Sequence, residues 1–167
     1  RYYLYVKLAK ILKDNKILLL LRPHMGELNM LTDNTNLIKT LVTHNDVIKL
    51  ASHDCFPDVN TLLPFIDILI SDYSALYHDF LLLDKPLMFI PYDYEEFNQQ
   101  NGFLYDYFSN LPGPVLSSLD DFIVNTNNIL DGKDLFVDNR NALCSKVHKF
   151  KDDKSSARVA QLLDDLV

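Results

Sequence analysis

Short apolar segments that alternate with helical patterns constrain the fold of this chain more than any other feature. Ile17 to Leu21 is an uninterrupted apolar run, and the segments Ile66 to Ile70 and Leu87 to Ile90 are mainly apolar. Strands of this kind, apolar on both faces, are typical of a parallel sheet covered by helices on both sides. With a short strand at Val47 to Leu50 between them, the pattern predicts an α/β fold with a doubly wound, Rossmann-like parallel sheet.

Segments with helical spacing of apolar residues lie between and after these strands. One segment, Asn29 to Thr43, is predicted to be a loop followed by a helix. The other predicted helices cover Tyr2 to Lys13, Asp58 to Phe65, Ser74 to Leu83, Ser118 to Leu130, Asp134 to His148 and Ser155 to Leu166. A chain of 167 residues is expected to form one domain, here residues 1–167. Because the chain opens on Arg1 inside a helical pattern, we expect it to be a piece of a longer protein.

Composition narrows the classes of ligand. With only 4 glycines, the chain has no Gly-rich loop of the Walker or dinucleotide type, and we expect no cofactor. The net charge of −7 argues against a nucleic-acid partner, since such proteins carry a basic face. Cys55 and Cys144 lack metal-ligand spacing, so no metal is expected and a reduced, cytoplasmic environment is favoured. No apolar run approaches the ~20 residues that a membrane-spanning helix needs.

The segment Ser71-Asp72-Tyr73-Ser74 stands where a predicted strand gives way to a helix. Small hydroxyls and backbone N–H groups at such a junction favour a bound phosphate, through hydrogen bonds and the helix dipole. The competing interpretation is helix capping, because Ser and Asp are preferred N-cap residues. The two roles compete for the same N–H groups, so one position can serve only one of them.

Arg22-Pro23-His24 follows the first predicted strand in the same way. Ligands of parallel sheets bind beyond the carboxyl ends of the strands, where this segment is expected to lie with Ser71 to Ser74. Ala51 to His53 and Pro91 to Asp93 follow two further strands. An arginine can hold a phosphate through two parallel hydrogen bonds, and a histidine can donate to it or transfer a proton. A salt bridge from Arg22 to one of the many acidic residues is the alternative.

Three further groups of residues are candidates for the same site. Ser155, Ser156 and Arg158 lie in the first turn of the last predicted helix, where Asp153 or Ser155 is the expected cap. Asp79 has no apolar role in its helix, whereas His78 is expected to be an exposed helix residue. An aromatic group could line a base or glycerol pocket, or form satellite core under a long loop. Its members are Tyr92, Tyr94, Phe97, Phe103, Tyr105, Tyr107 and Phe108.

Taken together, these segments resemble the CDP-glycerol glycerophosphotransferase family, the polymerases of wall teichoic acid and related capsule polymers. The resemblance runs from Ile17 almost to the end of the chain. It is carried, in the expected order, by Arg22-Pro23-His24, Asp67 to Ser74, Asp79-Phe80, Asp84 to Tyr94, Gly102-Phe103, Pro112-Gly113-Pro114 and Asp152 to Arg158. Three departures are Ala75, where the family has a second serine, the arginine–histidine step, which has Pro23 inside it and Met25 after it, and Asp153, where the family often has glycine.

The resemblance implies the C-terminal, nucleotide-donor-binding half of a GT-B type transferase. The implied reaction transfers glycerol phosphate from CDP-glycerol, or a related nucleotide donor, to a growing polyol-phosphate polymer. Arg22 and His24 are then the catalytic candidates, and the substrate-binding candidates are Ser71, Asp72, Ser74, Asp79, Ser155, Ser156 and Arg158. The general base and the polymer contacts would lie in an N-terminal half, so this piece alone is expected to bind the donor weakly and to be inactive. The full-length protein is expected at the inner face of the cell membrane, as a peripheral protein.

Three other functions remain open at this point. A nucleotide-sugar glycosyltransferase would use the same half-fold with a different donor. A receiver-type signalling domain would use Asp72 as its phosphate acceptor with Lys85 nearby, but receivers need an acidic pair after the first strand, where this chain has Arg22 and His24. A purely structural or binding half-domain is the third possibility, since a fold does not by itself imply a function.

Overall fold

The computed structural model describes residues 2–23, 33–103 and 106–166. The described strands are β1 (Leu19–Leu21), β2 (Ile48–Leu50), β3 (Leu69–Ser71) and β4 (Leu87–Phe89). The α-helices are α1 (Tyr2–Asp14), α2 (Asp33–His44), α3 (Leu76–Phe80), α4 (Tyr94–Gln100), α5 (Leu119–Leu130), α6 (Val137–Val147) and α7 (Ser155–Asp164). Single 3-10 turns occupy Val59–Thr61, Leu63–Phe65, Leu81–Leu83 and Phe108–Asn110.

All described strand pairs are parallel. β1 pairs with β2, with Leu19 opposite Ile48, and β3 pairs with β4, with Leu69 opposite Leu87. A parallel bridge from Phe89 to Val115 adds a third element beside β4. The parallel α/β architecture is therefore confirmed. The described strands form two two-stranded sheets, and their union in one doubly wound sheet stays a prediction.

The chain divides into two compact units. The first contains Arg1–Ile66 and Ser117–Asn127, with β1 and β2, and its buried residues include Leu12, Ile48 and Leu63. The second contains Asp67–Leu116 and Asn128–Val167, with β3 and β4. Its buried core includes Phe80, Leu87, Met88, Phe89, Tyr107 and Leu143.

Burial of the strands differs from what the apolar runs predict. β4 is completely buried, whereas the residues of β1 and β3 are only half-buried, so the expectation of doubly buried strands is wrong for these two. Each of them pairs with a single neighbour among the described strands, which leaves one edge uncovered there. β1 is also shorter than predicted, because the N–H of Ile17 donates back to the carbonyl of Leu12 in α1 (2.8 Å).

Two predicted helices take a different form. Asp58 to Phe65 forms two separate 3-10 turns, and the Asp58 carboxylate accepts the N–H of Asn60 at 2.9 Å to start the first. The helix predicted over Ser74 to Leu83 is the short α3 followed by the turn Leu81–Leu83. Asp84 then adopts a left-handed conformation with φ of 49°, which ends the helical segment before β4.

The segment Pro112-Gly113-Pro114 lies directly against β4. A Cβ atom on Gly113 would lie 2.0 Å from the carbonyl oxygen of Leu87, so only glycine fits there. The N–H of Phe89 donates to the carbonyl of Pro114 at 2.9 Å, and the N–H of Leu116 donates to the carbonyl of Phe89 at 2.7 Å. Close backbone contact thus extends the β3–β4 pair by one more element.

Candidate functional site

The turn between β3 and α3 contains the predicted phosphate-binding residues Ser71, Asp72 and Ser74. The Asp72 carboxylate accepts the N–H of Ser74 at 3.0 Å, and the Ser74 hydroxyl oxygen accepts the N–H of Leu76 at 3.3 Å. Such side-chain bonds to the backbone two residues on compete with helix, and α3 starts at Leu76, two residues later than predicted. Local side-chain bonds therefore account for these two N–H groups, whereas the N-cap residue of α3 is Ala75, which makes no side-chain cap bond. Phosphate binding at the turn stays a prediction.

Two further hydrogen bonds, both from residues of the second unit, hold the backbone carbonyls of this turn. The carbonyl of Ser71, the last residue of β3, accepts the N–H of Ile90 at 2.9 Å. The carbonyl of Asp72 accepts the hydroxyl of Tyr107 at 2.9 Å, although the two residues are 35 positions apart in the chain. Tyr107 is only 5% exposed, and burial raises the pKa of its hydroxyl. It is therefore a protonated donor at any physiological pH.

The aromatic residues beside the turn pack on one another. Tyr73 stacks on Phe97 with ring centroids 4.2 Å apart, Tyr94 stacks on Phe103 at 5.6 Å, and Tyr107 lies 5.1 Å from Phe103. These contacts fit the satellite-core interpretation of the described members of the group. Tyr92 is 71% exposed, and Tyr105 lies outside the described residues.

Tyr73 also has an electrostatic neighbour in Asp93. Its hydroxyl oxygen and Oδ1 of Asp93 are both buried. Burial, and then the neighbouring Asp93 carboxylate, raise the pKa of Tyr73 to about 12. A buried carboxylate oxygen and a buried phenol therefore face the same small region of the second unit.

Arg22 lies in the first unit, just after β1. Its Nη1 donates to the carbonyl of Ala51 at 3.0 Å and to that of Ser52 at 3.5 Å, so the half-buried guanidinium joins the ends of β1 and β2. No ion pair of Arg22 with an acid occurs among the residues that the structure describes, which leaves the salt-bridge alternative without support there. His24 lies outside the described residues.

Arg158 is held by its own neighbourhood at the start of α7. Its Nη1 donates to both carboxylate oxygens of Asp152 (2.8 and 3.1 Å), its Nη2 donates to the Ser155 hydroxyl (3.0 Å), and its guanidinium lies 3.9 Å from the Phe150 ring centroid. The N–H of Lys154 and then Arg158 lower the pKa of Asp152. Arg158 therefore has a nearby counter-charge despite its unfavourable place in the first turn of a helix.

The expected cap of α7 is wrong, and His78 is more buried than expected. Lys154 is the N-cap of α7, and Asp152, not Asp153 or Ser155, accepts its N–H at 3.0 Å. Ser156 and Asp79 are both exposed. His78 is half-buried rather than exposed, and its carbonyl accepts the Nε2–H of His148 at 2.8 Å.

Arg140 of α6 is a buried cation in the core of the second unit, and no motif in the sequence indicates it. Its side chain is 3% exposed and pairs with Asp134 at 2.7 Å and with Asp84 at 3.5 Å. Burial alone would raise the pKa of Asp134, but the hydrogen bonds from Arg140 and from the N–H of Phe136 hold it below its ordinary value. The signal in the sequence is that Arg140 shares a helix face with Leu143 and Cys144, three and four residues on, both of which are buried.

The predicted site residues thus fall in both units. Arg22 lies in the first, and Ser71, Asp72, Ser74, Asp79, Ser155, Ser156 and Arg158 lie in the second. Within the second unit, the structure brings Asp72 and Ser74 together in one turn and Ser155 and Arg158 together in another. In the described part of the chain, no three His, Cys, Asp or Glu side chains are grouped so that they could hold a metal ion. No helix there has both the length and the apolar character needed to cross a membrane.

Comparison with known proteins identifies similar sequences and folds. Residues 5–164 match the model of the family CDP-Glycerol:Poly(glycerophosphate) glycerophosphotransferase. The teichoic acid poly(ribitol-phosphate) polymerase of Bacillus spizizenii is 34% identical over 67% of this chain, and the teichoic acid glycerol-phosphate transferase of Staphylococcus aureus is 28% identical over 72%. The matched parts are 17% and 31% of those two proteins, so the chain spans less than a third of either relative.

A solved structure has the same fold. A variant of the wall teichoic acid polymerase TagF, soaked with CDPG, superposes with a TM-score of 0.69 at 22% sequence identity. The superposition covers 97% of this chain and 38% of that chain. Because the family model covers nearly the whole sequence, the chain belongs to the CDP-glycerol:poly(glycerophosphate) glycerophosphotransferase family.

Proposed function

We propose that this chain is the donor-binding half of a transferase that moves glycerol phosphate from CDP-glycerol to a growing teichoic-acid-like polymer. The family match over residues 5–164 is the observation that carries the proposal. A relative named as a teichoic acid glycerol-phosphate transferase, 28% identical over 72% of the chain, supports the same donor. A ribitol-phosphate polymerase among the relatives makes CDP-ribitol the second donor to test.

The proposal includes the architecture. The chain would be one nucleotide-donor-binding domain, the doubly wound C-terminal half of a GT-B type transferase within a longer protein. Two parallel strand pairs and the likeness to TagF over 97% of the chain support this arrangement. The acceptor contacts and the general base would then be supplied by the other half, so this chain alone would bind the donor weakly without turnover.

In the proposed reaction, a hydroxyl oxygen of the polymer forms a bond to the glycerol-bearing phosphorus of the donor. The bond from that phosphorus to the oxygen of CMP breaks, CMP leaves with the bonding electrons, and a base takes the hydroxyl proton. Negative charge develops on the leaving phosphate, and fixed donors stabilise it because they need no reorganisation during the reaction. We assign this role to Arg22 and to His24, which would also be placed to donate a proton to the departing CMP.

The remaining candidates are assigned to binding of the donor. Ser71 and Ser74 offer hydroxyl donors at the turn after β3, while Asp72 and Asp79 are acceptors suited to ribose or glycerol hydroxyls. In the α7 turn, Ser155, Ser156 and Arg158 would contact phosphate or ribose. The contact of Arg158 Nη1 with both carboxylate oxygens of Asp152 supports this role, since it holds the guanidinium in place before any ligand arrives.

The full-length protein would work as a peripheral protein at the inner face of the cell membrane. Its donor is a water-soluble nucleotide, and the relatives act on teichoic acids by name. Membrane attachment would then come from parts of the protein other than the donor-binding half.

Isothermal titration of the chain with CDP-glycerol, CDP-ribitol and a UDP-sugar tests the proposed donor. We expect heat of binding with a CDP-polyol and none with the UDP-sugar. Binding of the UDP-sugar alone would establish the nucleotide-sugar alternative and refute the proposal.

A pair of serine variants tests the proposed site in the same titration. Ser74→Ala should weaken CDP-glycerol binding about tenfold, equivalent to about 1.4 kcal/mol, by removing one hydroxyl donor. The matched control is Ser118→Ala, because the Ser118 hydroxyl caps a different helix by accepting the N–H of Asp121 at 3.0 Å. Equal affinity of both variants for CDP-glycerol would remove Ser74 from the site.

A further inference from the structure

The hydroxyl of Tyr107 makes a contact that packing of its ring alone does not require. The ring is already enclosed by aromatic neighbours, with Tyr73, Phe103 and Phe108 centroids 5.1 to 5.4 Å away. The hydroxyl nevertheless reaches the carbonyl oxygen of Asp72, at 2.9 Å, in the turn between β3 and α3. A buried side chain therefore fixes the backbone of that turn at one particular peptide.

This contact determines where the next N–H points. The peptide that joins Asp72 to Tyr73 is trans, as are all those in the described segments. In a trans peptide the C=O and the N–H point in opposite directions within one plane. Because the Asp72 carbonyl points to the buried Tyr107 hydroxyl, the Tyr73 N–H points away from Tyr107.

The Tyr73 N–H is also unpaired in the described part of the chain. The Asp72 and Ser74 side chains take the N–H groups of Ser74 and Leu76, and no hydrogen bond from the N–H of Tyr73 occurs among the described residues. A backbone N–H that is oriented but unpaired is a suitable donor for a phosphate oxygen. The direction of the Tyr73 N–H is set by one peptide plane and not by the dipole of the five-residue α3.

We propose that Tyr107 is a positioning residue, which holds the Asp72–Tyr73 peptide so that the Tyr73 N–H can donate to the diphosphate of a nucleoside diphosphate polyol. The inference rests on the proposed function, since it takes the Ser71 to Ser74 turn as part of the donor site. It adds a residue that does not touch the donor and a backbone donor that no side-chain pattern in the sequence reveals.

Two features of the structure make the positioning effective. The aromatic neighbours leave the Tyr107 ring little room to rotate, since its face and edges are covered within the described cluster. Burial also raises the pKa of the Tyr107 hydroxyl, so it remains a donor throughout the pH range in which an enzyme works. The bond to the Asp72 carbonyl is therefore both rigid and independent of pH.

The test compares Tyr107→Phe with Tyr94→Phe. Both substitutions remove one hydroxyl from the same aromatic cluster, but the Tyr94 hydroxyl makes no hydrogen bond among the described residues. Amide hydrogen exchange is measured on each chain without ligand, and CDP-glycerol affinity is measured by titration calorimetry. Thermal unfolding confirms that both variants are folded at the temperature used.

We expect Tyr107→Phe to speed exchange at the N–H groups of Ser74 and Leu76 about tenfold and to weaken CDP-glycerol binding about tenfold, with Tyr94→Phe unchanged in both. Unchanged exchange at the turn in Tyr107→Phe, or equal CDP-glycerol affinity of the two variants, overturns the inference. Failure of the unaltered chain to bind CDP-glycerol would instead show the proposed function to be wrong. In that case the exchange measurement alone decides whether Tyr107 orders the turn.

Discussion

The ion pair of Arg140 with Asp134 should be the polar contact on which the second unit depends most. Arg140 is 3% exposed at its side chain, and its Nη2 lies 2.7 Å from Oδ2 of Asp134, which is 20% exposed. Its second partner, Asp84, is 3.5 Å from Nε and 59% exposed. Within the described part of the chain, Nη1 of Arg140 has no hydrogen-bond partner, so little else compensates the buried charge.

The perturbation is Asp134→Asn, which keeps the size of the side chain and removes its charge. Loss of one partner from a buried ion pair costs about 3–5 kcal/mol, because the other charge is left buried without compensation. Asp134 retains some solvent contact, which places the expected loss near the lower limit, at about 3 kcal/mol. If the NH2 group of the introduced asparagine takes the place of Oδ2, it would also face the guanidinium of Arg140, and two hydrogen-bond donors would then oppose each other.

Asp84→Asn is the matched control, since it makes the same chemical change at the exposed partner of the same arginine. An exposed ion pair contributes about 0–1 kcal/mol, and asparagine tolerates the left-handed backbone at this position, where φ is 49°. Urea denaturation at pH 7 gives the free energy of unfolding of both variants. If the two losses agree within about 0.5 kcal/mol, burial does not decide the strength of this pair and the argument is refuted.

The acid dependence of stability provides a second measurement on the same pair. The pKa of Asp134 is lower in the folded chain than its ordinary value, so the folded state binds the proton less strongly than the unfolded state. The contribution of the carboxylate is therefore fully present above pH ~4 and is lost as pH falls through the lowered pKa. As the pH falls from ~4 through the lowered pKa, the difference in stability between the unaltered chain and Asp134→Asn should shrink. A difference that stays constant on acidification from pH ~4 to about pH 2 would contradict this account.

Two further predictions concern the same unit. Gly113→Ala should destabilise the chain by about 1–3 kcal/mol in urea denaturation, because its Cβ would overlap the Leu87 carbonyl oxygen at 2.0 Å. In the control Gly132→Ala, the added Cβ meets no atom within 4 Å, so stability should fall only by the strain of the φ of 74°, about 1 kcal/mol. A larger loss of stability at Gly132 than at Gly113 would contradict the packing argument. The pKa of Tyr73, raised to about 12 by burial and by Asp93, predicts that stability falls as pH rises from about 10 to about 12, since the folded state keeps the proton longer. Tyr73→Phe should flatten this fall whereas Tyr94→Phe should not, as measured by the urea midpoint at each pH, and equal slopes in both variants would contradict it.

The sequence predicts the elements of this fold better than their burial. Apolar runs locate β1, β3 and β4 within one to three residues, because a run of aliphatic residues between polar segments is a local signal. The prediction that β1 and β3 are fully buried is wrong. The burial of a strand depends on how many neighbours it has, and a local sequence pattern does not indicate that number. The parallel pairing follows from the alternation of strands and helices and is confirmed.

The contacts that hold the candidate site could not be predicted from local sequence patterns either, because they join residues that are far apart in the chain. Tyr107 and Asp72 are 35 positions apart, and Arg140 meets Asp84 from a helix that starts more than 50 residues later. Neither partner in these pairs has an unusual local sequence context that would select it from the many tyrosines and acids of the chain. Arg158 and Asp152 are only 6 positions apart, but Asp153 stands beside Asp152 with the same side chain, so no local pattern distinguishes the two acids as partners of Arg158.

The position of Asp72 limits how a diphosphate can use this turn. Its carboxylate lies on the N–H of Ser74, at 3.0 Å, so a phosphate bound at that N–H would meet a negative charge. Two unit charges of like sign about 4 Å apart repel by about 4 kcal/mol near a protein surface, more than one hydrogen bond returns. In the proposed donor site, a phosphate is therefore expected at the Tyr73 N–H and the Ser74 hydroxyl, and the Asp72 carboxylate is expected to accept from a ribose or glycerol hydroxyl. On this division of roles, the N–H groups of Ser74 and Leu76 stay bonded to the side chains of Asp72 and Ser74. The donor would use the Tyr73 N–H, the Ser74 O–H and the remaining lone pairs of the Asp72 carboxylate.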